Sequence, residues 1–343
     1  MEPLRVAVLG CGFWSRFQLA AWHELPDVRC IAVCDPDEAK ARMAAEAWTE
    51  GRFFTDAERL LAEVVPDVVD VITPPHTHPD LVGLCARHRI PVICQKPMAN
   101  ELSTAQEMVN GCRQAGIPLF VHENWRWQRP IRELKAVLDR GAIGAPFRAR
   151  LDFNSSFPVF TNQPFLAELE RFILTDVGSH LLDVARFLFG EARRLNAVTQ
   201  RIRPGIRGED VATVLLEMRS GVTVTCNLSY ASRTEHERFP ETFIFVEGTE
   251  GSAELAPDLW VRLTDEAGTH SYRVQPPFYS WADPRYALLH ASIVDCHRNL
   301  ANGLRGQGAG ETTGEDNLKT LQLVYGSYES AARGKSIAFT PLE

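Results

Sequence analysis

Nowhere does this sequence approach the ~20 consecutive apolar residues of a membrane-spanning helix. Positive charge is also short. Lys and Arg number 36 against 44 Asp and Glu, a formal net charge of −8. That balance disfavours nucleic acid and anionic membranes as partners and favours solubility. Paired cysteines are missing too. The eight at Cys11, Cys30, Cys34, Cys85, Cys94, Cys112, Cys226 and Cys296 form no Cys-x-x-Cys, and most lie in apolar runs. They read as reduced core residues of a cytoplasmic protein, not a disulfide frame or zinc site. His76-x-His78 with Asp80 could begin a metal site, but no thiolate cluster or His-Glu-x-x-His completes it, so no metal is expected. Met1-Glu2-Pro3 runs straight into an apolar strand, without a secretory pattern. There are no internal repeats.

What is present suffices for a globular enzyme. The 343 residues suggest roughly two domains, and 45% hydrophobic residues supply ample core. The most informative stretch spans residues 66–100. Residues 68–72 are a β-branched run, as expected of a strand buried on both faces. Pro74 and Pro75 stop it. A helix follows with an apolar stripe of Leu81, Leu84 and Cys85. Residues 91–94 form the next strand, ending beside Gln95 and Lys96. Strand, helix and strand make a parallel unit, and ligands bind beyond the carboxyl ends of such strands. Thr73, Pro74, His78, Gln95 and Lys96 stand there.

Upstream, Leu4–Leu9 is an apolar strand followed by Gly10-Cys-Gly12-Phe13-Trp14-Ser15 and a helix through Trp22. Gly-x-Gly permits a tight turn and close approach of a pyrophosphate to the helix N-terminus. Ser15 replaces the third glycine and is still small. Residues 29–34 form a second strand that ends at Asp35, about twenty residues on. An acid there accepts from a ribose 2′-hydroxyl and repels a 2′-phosphate, which favours NAD over NADP. Asp35-Pro36-Asp37 also fits a bare helix cap. After a fifth strand at 119–122 comes Glu123-Asn124-Trp125-Arg126-Trp127. Two tryptophans flanking an arginine suit a sugar face and a polar group, or else a hinge packed by aromatics.

Past residue 146 the alternation of strands and helices ceases. Helices are expected at 164–172 and 176–189. Successive strands follow at 195–201, 211–218, 222–230, 242–247, 252–255 and 260–263, which implies a mostly antiparallel sheet. Helices return at 286–304 and 314–332. Apolar residues fall on both alternating sets of the strands, so the outer face of this sheet needs cover. Asp176 and His180 lie four apart on one helix, projecting from one face, with Asp183 near it. A carboxylate beside an imidazole fixes its tautomer and stabilises its charged form, as a proton-transferring histidine needs. A capping aspartate with a structural histidine fits the same helix.

Together, Gly10-x-Gly12, Asp35, Thr73-Pro74 with His78, Gln95-Lys96-Pro97, Asn124-x-Arg126, and Asp176 with His180 resemble the glucose–fructose oxidoreductase / inositol dehydrogenase / MocA family. The resemblance spans essentially the whole chain and reaches residues 246–251 and 313–316. It implies an α/β fold with an NAD-binding Rossmann domain over 1–122. Residues 123–343 would form an α+β domain on a mostly antiparallel open sheet. It implies Lys96, Asp176 and His180 as the catalytic trio. Gly10, Gly12, Phe13, Trp14, Asp35, Thr73, Pro74, His78, Gln95, Lys96 and Arg126 would bind NAD. Lys96, Asn124, Trp125, Arg126, Trp127, Asp176 and His180 would bind a sugar or polyol. It also implies homodimers or homotetramers. Family members usually have Glu-Lys-Pro, and the neutral Gln95 departs from that. Residues 123–127 and 157–165 are similar to those of members that oxidise the anomeric hydroxyl of a branched pentose to a lactone. An NAD-retaining enzyme that oxidises and re-reduces its substrate, an imine reductase and a non-catalytic NAD sensor stay open.

Overall fold

The structure, a computed structural model, describes residues 2–235 and 239–340. Two compact units are present, one of Met1–Asn124 with Ile293–Leu318, the other of Trp125–Ser292 with Lys319–Glu343. The sequence reading placed the boundary at 122/123 and everything after it in the second domain. The returning segment differs because it adds to the first sheet. Val121 N donates to the Thr312 carbonyl, the Thr312 hydroxyl donates back to the Val121 carbonyl at 2.6 Å, and Phe120 bridges to Thr313.

The first unit runs β1 (Leu4–Leu9), α1 (Ser15–His23), β2 (Val28–Cys34), α2 (Glu38–Trp48), β3 (Phe53–Phe54), α3 (Ala57–Val64), β4 (Val68–Val71), α4 (His78–Arg87), β5 (Val92–Gln95), α5 (Leu102–Ala115) and β6 (Leu119–His122). Among the described residues its sheet has the order β3-β2-β1-β4-β5-β6, every pair parallel. The order reverses between β1 and β4, so the carboxyl ends of those strands form the ligand crevice of a Rossmann sheet. β4, β5 and β6 are buried at every position, as their apolar runs foretell.

The second unit contains α6 (Arg129–Asp139), β7 (Pro146–Asn154), α7 (Val159–Asn162), α8 (Ser179–Phe189), β8 (Ala192–Gln200), β9 (Val211–Met218), β10 (Thr223–Ser229), β11 (Phe243–Gly248), β12 (Gly251–Ala256), β13 (Trp260–Asp265) and β14 (Gly268–Arg273). Then come α9 (Ala287–Leu304) and α10 (Gly314–Arg333), which continue into the first unit's segment, and β15 (Ile337–Ala338). Its described sheet has the order β14-β13-β12-β11-β7-β10-β9-β8-β15. All pairs are antiparallel except β7 with β10. Ala212, Val214, Leu216 and Met218 face the core while Leu215 is 38% exposed, so β9 shows the period of two. The helix expected over 164–172 is only a short 3₁₀ stretch, Pro164–Glu168. Its Phe165 is 60% exposed and Leu166 is the stretch's buried residue, so little apolar surface meets a core to hold a longer helix.

Within the first unit Asp70 of β4 is fully buried. Trp22 Nε1 donates to its Oδ2 at 2.9 Å, and His297, stacked flat on Trp22 at 3.7 Å, holds Nε2 3.8 Å from the same oxygen. Among the described residues Oδ1 has no partner. Burial pushes the carboxyl up to about 7 against the pull of the Trp22 hydrogen bond. Burial likewise drives His297 well below its ordinary value, with His122 adding to the effect.

The sign of the linkage follows. Between pH 3.8 and about 7 the unfolded chain releases the Asp70 proton while the folded chain keeps it, so stability from this group is lost as pH rises. Each unit costs about 1.4 kcal/mol. His297 acts oppositely, removing stability below about pH 6.5. Asp70→Asn should therefore raise the urea-derived unfolding free energy by about 2 kcal/mol or more at pH 8 and give no gain at pH 4. Equal effects at both pH values would refute a protonated Asp70.

Candidate active site

The chain turns after β1 at Gly10, whose φ of +102° and whose position leave no room for a side chain: a Cβ would stand 2.3 Å from the Ile72 carbonyl. Gly12 is different, with open space where a Cβ would be. Asp35, just past β2, accepts from Cys11 N at 2.8 Å through Oδ2 and from Asp37 N at 2.9 Å through Oδ1. The cap of α2 is Asp37, not Asp35. Asp35 is therefore tied to the glycine turn itself. No side chain caps the N-terminus of α1, and Ser15 donates to the Gly12 carbonyl at 2.7 Å. An open glycine turn, an uncapped nine-residue helix and a fixed acid at the next strand end fit a dinucleotide. Phe13, 50% exposed, and the half-buried Trp14 flank the turn.

Beyond β4 and β5 stand the other candidates of this unit. His78 is fully buried at the start of α4, with Nε2 2.8 Å from the Thr73 carbonyl and Nδ1 3.1 Å from the Met98 carbonyl. Burial pushes its ring below the ordinary histidine value, although both carbonyls favour the charged form. A neutral ring donates only once. We assign the proton to Nε2, the shorter contact. His78 thus closes the loop after β4, with Thr73 and Pro74, while the Met98 carbonyl, on the loop that carries Lys96, packs against its other nitrogen. Lys96 is half-buried, and its peptide bond to Pro97 is cis. Gln95, 6% exposed, ends β5 with an amide nitrogen that has no partner among the described residues. A buried, unmatched donor next to Lys96 suits an acceptor on a bound cofactor.

In the second unit Asp176 sits in a π-helical turn, Leu174–Gly178, and His180 in the first turn of α8. The helix expected from residue 176 thus opens on a wider turn, a feature frequent at functional sites. Glu209, in the loop before β9, anchors its beginning. Its carboxylate accepts from Phe172 N at 3.2 Å, Leu174 N at 3.1 Å and the Tyr328 hydroxyl at 2.7 Å, and its carbonyl accepts from Ile173 N at 3.1 Å. That loop is pressed against the helix: a Cβ on Gly208 would lie 2.7 Å from the Leu169 carbonyl. Trp125 lies flat on the His180 ring, 4.7 Å between centroids and 3° between planes. The hydroxyl of Tyr230, after β10, reaches Asp176 Oδ2 at 3.0 Å.

The Asn124–Trp127 candidates, read in the sequence as a sugar face or an aromatic-packed hinge, are buried. Asn124 is 3% exposed, and Trp125–Trp127 form a buried 3₁₀ turn. Arg126 gives Nε and Nη2 to the two oxygens of Asp183 at 2.7 and 2.6 Å, and Thr320 donates to the same carboxylate at 3.1 Å. The Arg132 guanidinium lies over Trp127, 3.7 Å from the ring centroid. Asp183, expected near the catalytic face, instead pairs with Arg126, because a fully buried carboxylate needs a bidentate cation. Trp125 backs His180 and presents no open face for a sugar. Glu209 and Tyr230 escaped sequence reading, since a loop glutamate and a tyrosine at a strand end carry no spacing signal.

A Rossmann sheet with an Asp35-bound glycine turn, joined in one chain to an Asp-His pair on a helix, defines a nicotinamide-dependent oxidoreductase. Comparison with known proteins narrows this. The family pattern "Oxidoreductase family, NAD-binding Rossmann fold" (GFO/IDH/MocA) matches residues 4–123, and the GFO/IDH/MocA C-terminal domain matches 131–254. The D-apiose dehydrogenase of Paraburkholderia graminis is 44% identical over 100% of this chain and 92% of its own length. That of Rhizobium rhizogenes is 42% identical over 98% of each chain. An oxidoreductase of Agrobacterium radiobacter, solved with NAD+, L-tartaric acid and magnesium, superposes with a TM-score of 0.95 at 42% identity over 98% of each chain. The chain belongs to the GFO/IDH/MocA family of oxidoreductases, and its cofactor is NAD.

Asp35→Ser removes a charged acceptor at the ribose position and should weaken NAD affinity by ~10-fold while narrowing the preference for NAD over NADP. Titration of the wild type and the variant with both cofactors, followed by protein fluorescence, checks this. A wild type that prefers NADP would overturn the assignment of Asp35.

Proposed function

We propose that this protein is a sugar dehydrogenase that oxidises a branched pentose, D-apiose or a close relative, at its anomeric hydroxyl to give the lactone. Two relatives of that name, matching over nearly the whole chain, carry the reading. The fixed Asp35, the unmatched Gln95 amide, Lys96 and the Asp176–His180 pair support it. His180, held in plane by Trp125 and oriented by Asp176, accepts the hydroxyl proton. Lys96 stabilises the alkoxide that develops. Bound NAD supplies the acceptor for the hydride that leaves the same carbon. The products are a lactone, a reduced cofactor and one proton.

The eight buried free cysteines suit a reducing cytoplasm. We further infer a homodimer or homotetramer. On the outer side of the second unit's sheet Leu215 is 38% and Val198 62% exposed, and Phe243 and Phe245 are half-buried on β11, across β10 and β7 from them. Apolar side chains on an outer sheet face favour a partner. Light scattering at micromolar concentration should return at least twice the 38.4 kDa chain mass. A monomeric mass would refute the oligomer.

Formation of NADH across a panel of aldoses, polyols and inositols should be fastest with D-apiose. Lys96→Met should lower turnover by at least ~10² with NAD affinity far less affected. His180→Ala should match it, Asp176→Asn should be milder, and the Lys96–His180 double variant should lose less than the product of the singles. Near-normal turnover by Lys96→Met on the preferred sugar would sink the mechanism.

A further inference from the structure

Asp176 is a half-buried carboxylate, and its Oδ2 accepts from a phenol, the Tyr230 hydroxyl, at 3.0 Å. We propose that Tyr230 is a positioning residue for the reaction: its hydroxyl fixes the Asp176 carboxylate so that the remaining oxygen serves His180. This rests on the reading of Asp176 and His180 as the proton-handling pair.

Tyr230 is 1% exposed, and the carboxylate is its hydroxyl's hydrogen-bond partner. Burial first, and then the charge of Asp176 and the bond to it, hold the phenol well above its ordinary range. It therefore remains a donor and never competes for the proton being moved. The ring cannot swing away. It stacks on Phe172 at 5.5 Å and 14° and meets the Phe153 ring edge-on at 5.3 Å. Phe172 begins the turn that carries Asp176, whose amide donates to the Phe172 carbonyl at 2.9 Å. The same turn thus supplies both the acceptor and the surface on which the donor rests.

The backbone of Tyr230 is clamped as well. Its amide donates to the Asp210 carbonyl at 2.9 Å, and Arg203 donates to the Tyr230 carbonyl through Nε at 3.0 Å and through Nη2. Fully buried Asp210 accepts in turn from the amides of Ile202 and Arg203. A tyrosine needed for packing alone has no use for a hydroxyl aimed at a carboxylate. Here backbone, ring and hydroxyl are all held so that one hydrogen bond forms.

Tyr230→Phe deletes only that hydroxyl. On the sugar the wild type oxidises best, kcat should fall ~10-fold, the worth of one hydrogen bond to a charged acceptor. KM for the sugar and NAD affinity should move less than ~2-fold, because the bond matters to proton transfer and not to ground-state binding. In an Asp176→Asn background the same change should cost under ~2-fold, since the charged acceptor is gone. A loss confined to KM, equal losses in both backgrounds, or unchanged kcat would overturn the proposal. A second readout needs no substrate. With ¹³C-aspartate, and Asp176→Asn to assign the signal, the Asp176 carboxyl should titrate at higher pH in Tyr230→Phe than in the wild type. An identical titration would overturn the proposal even if the sugar assignment stands. If no sugar is oxidised yet the titration shifts, the functional reading fails and the positioning contact survives.

Discussion

Where the helix carrying Asp176 and His180 begins is set by one carboxylate. The first amides of a helix have no partners within it and must find acceptors elsewhere. Glu209 supplies acceptors for the amides of Phe172, Ile173 and Leu174, from a loop some thirty-five residues away in the chain. A negative charge at that end also complements the helix dipole. The loop can come so close only because residue 208 is glycine. Asp176 and His180 follow within the next two turns, so their placement depends on this contact before any contact of their own.

The first unit solves a similar problem by other means. Lys96 stands on a loop, and loops wander unless their backbone is held. His78, buried at the start of α4, donates to the Thr73 carbonyl on the loop beyond β4 and packs against the Met98 carbonyl on the loop beyond β5. Gln95 adds a neutral amide where family members usually have a glutamate. Neither of the two residues flanking Lys96 bears a charge, so the ammonium has no carboxylate next to it in the chain. A neutral donor can meet a cofactor acceptor without the cost of burying an anion.

The parallel sheet was readable because strands buried on both faces leave apolar runs and glycine turns leave their own marks. The antiparallel half was readable from its period of two. The helix that carries Asp176 and His180 and the strand that ends beside Lys96 were readable from periodicity and turn residues. Less legible was anything set by distant pairing. The return of Ile293–Leu318 to the first unit depends on Thr312 and Thr313 extending a sheet edge, which no local pattern announces. The helix expected over 164–172 failed because apolar content alone does not reveal whether a face has a core to meet. For Arg126 and Trp125 the sequence left a sugar face and an aromatic-packed hinge equally open, because spacing does not show burial. Their burial came only with the partners, Asp183 and His180.

That last difference bears on how such a site works. A hydride-transfer centre needs few reacting groups but tight control of where they stand, since a small displacement costs orders of magnitude in rate. Arg126 and Asp183 are 5% and 0% exposed, and removing either would take a bidentate partner from a buried charge. The pair locks α8 to the turn that carries Trp125, and Trp125 in turn limits His180 to one plane. Aromatic and cationic residues that resemble a sugar cradle in the sequence thus pack against and pair with α8, the helix that carries His180.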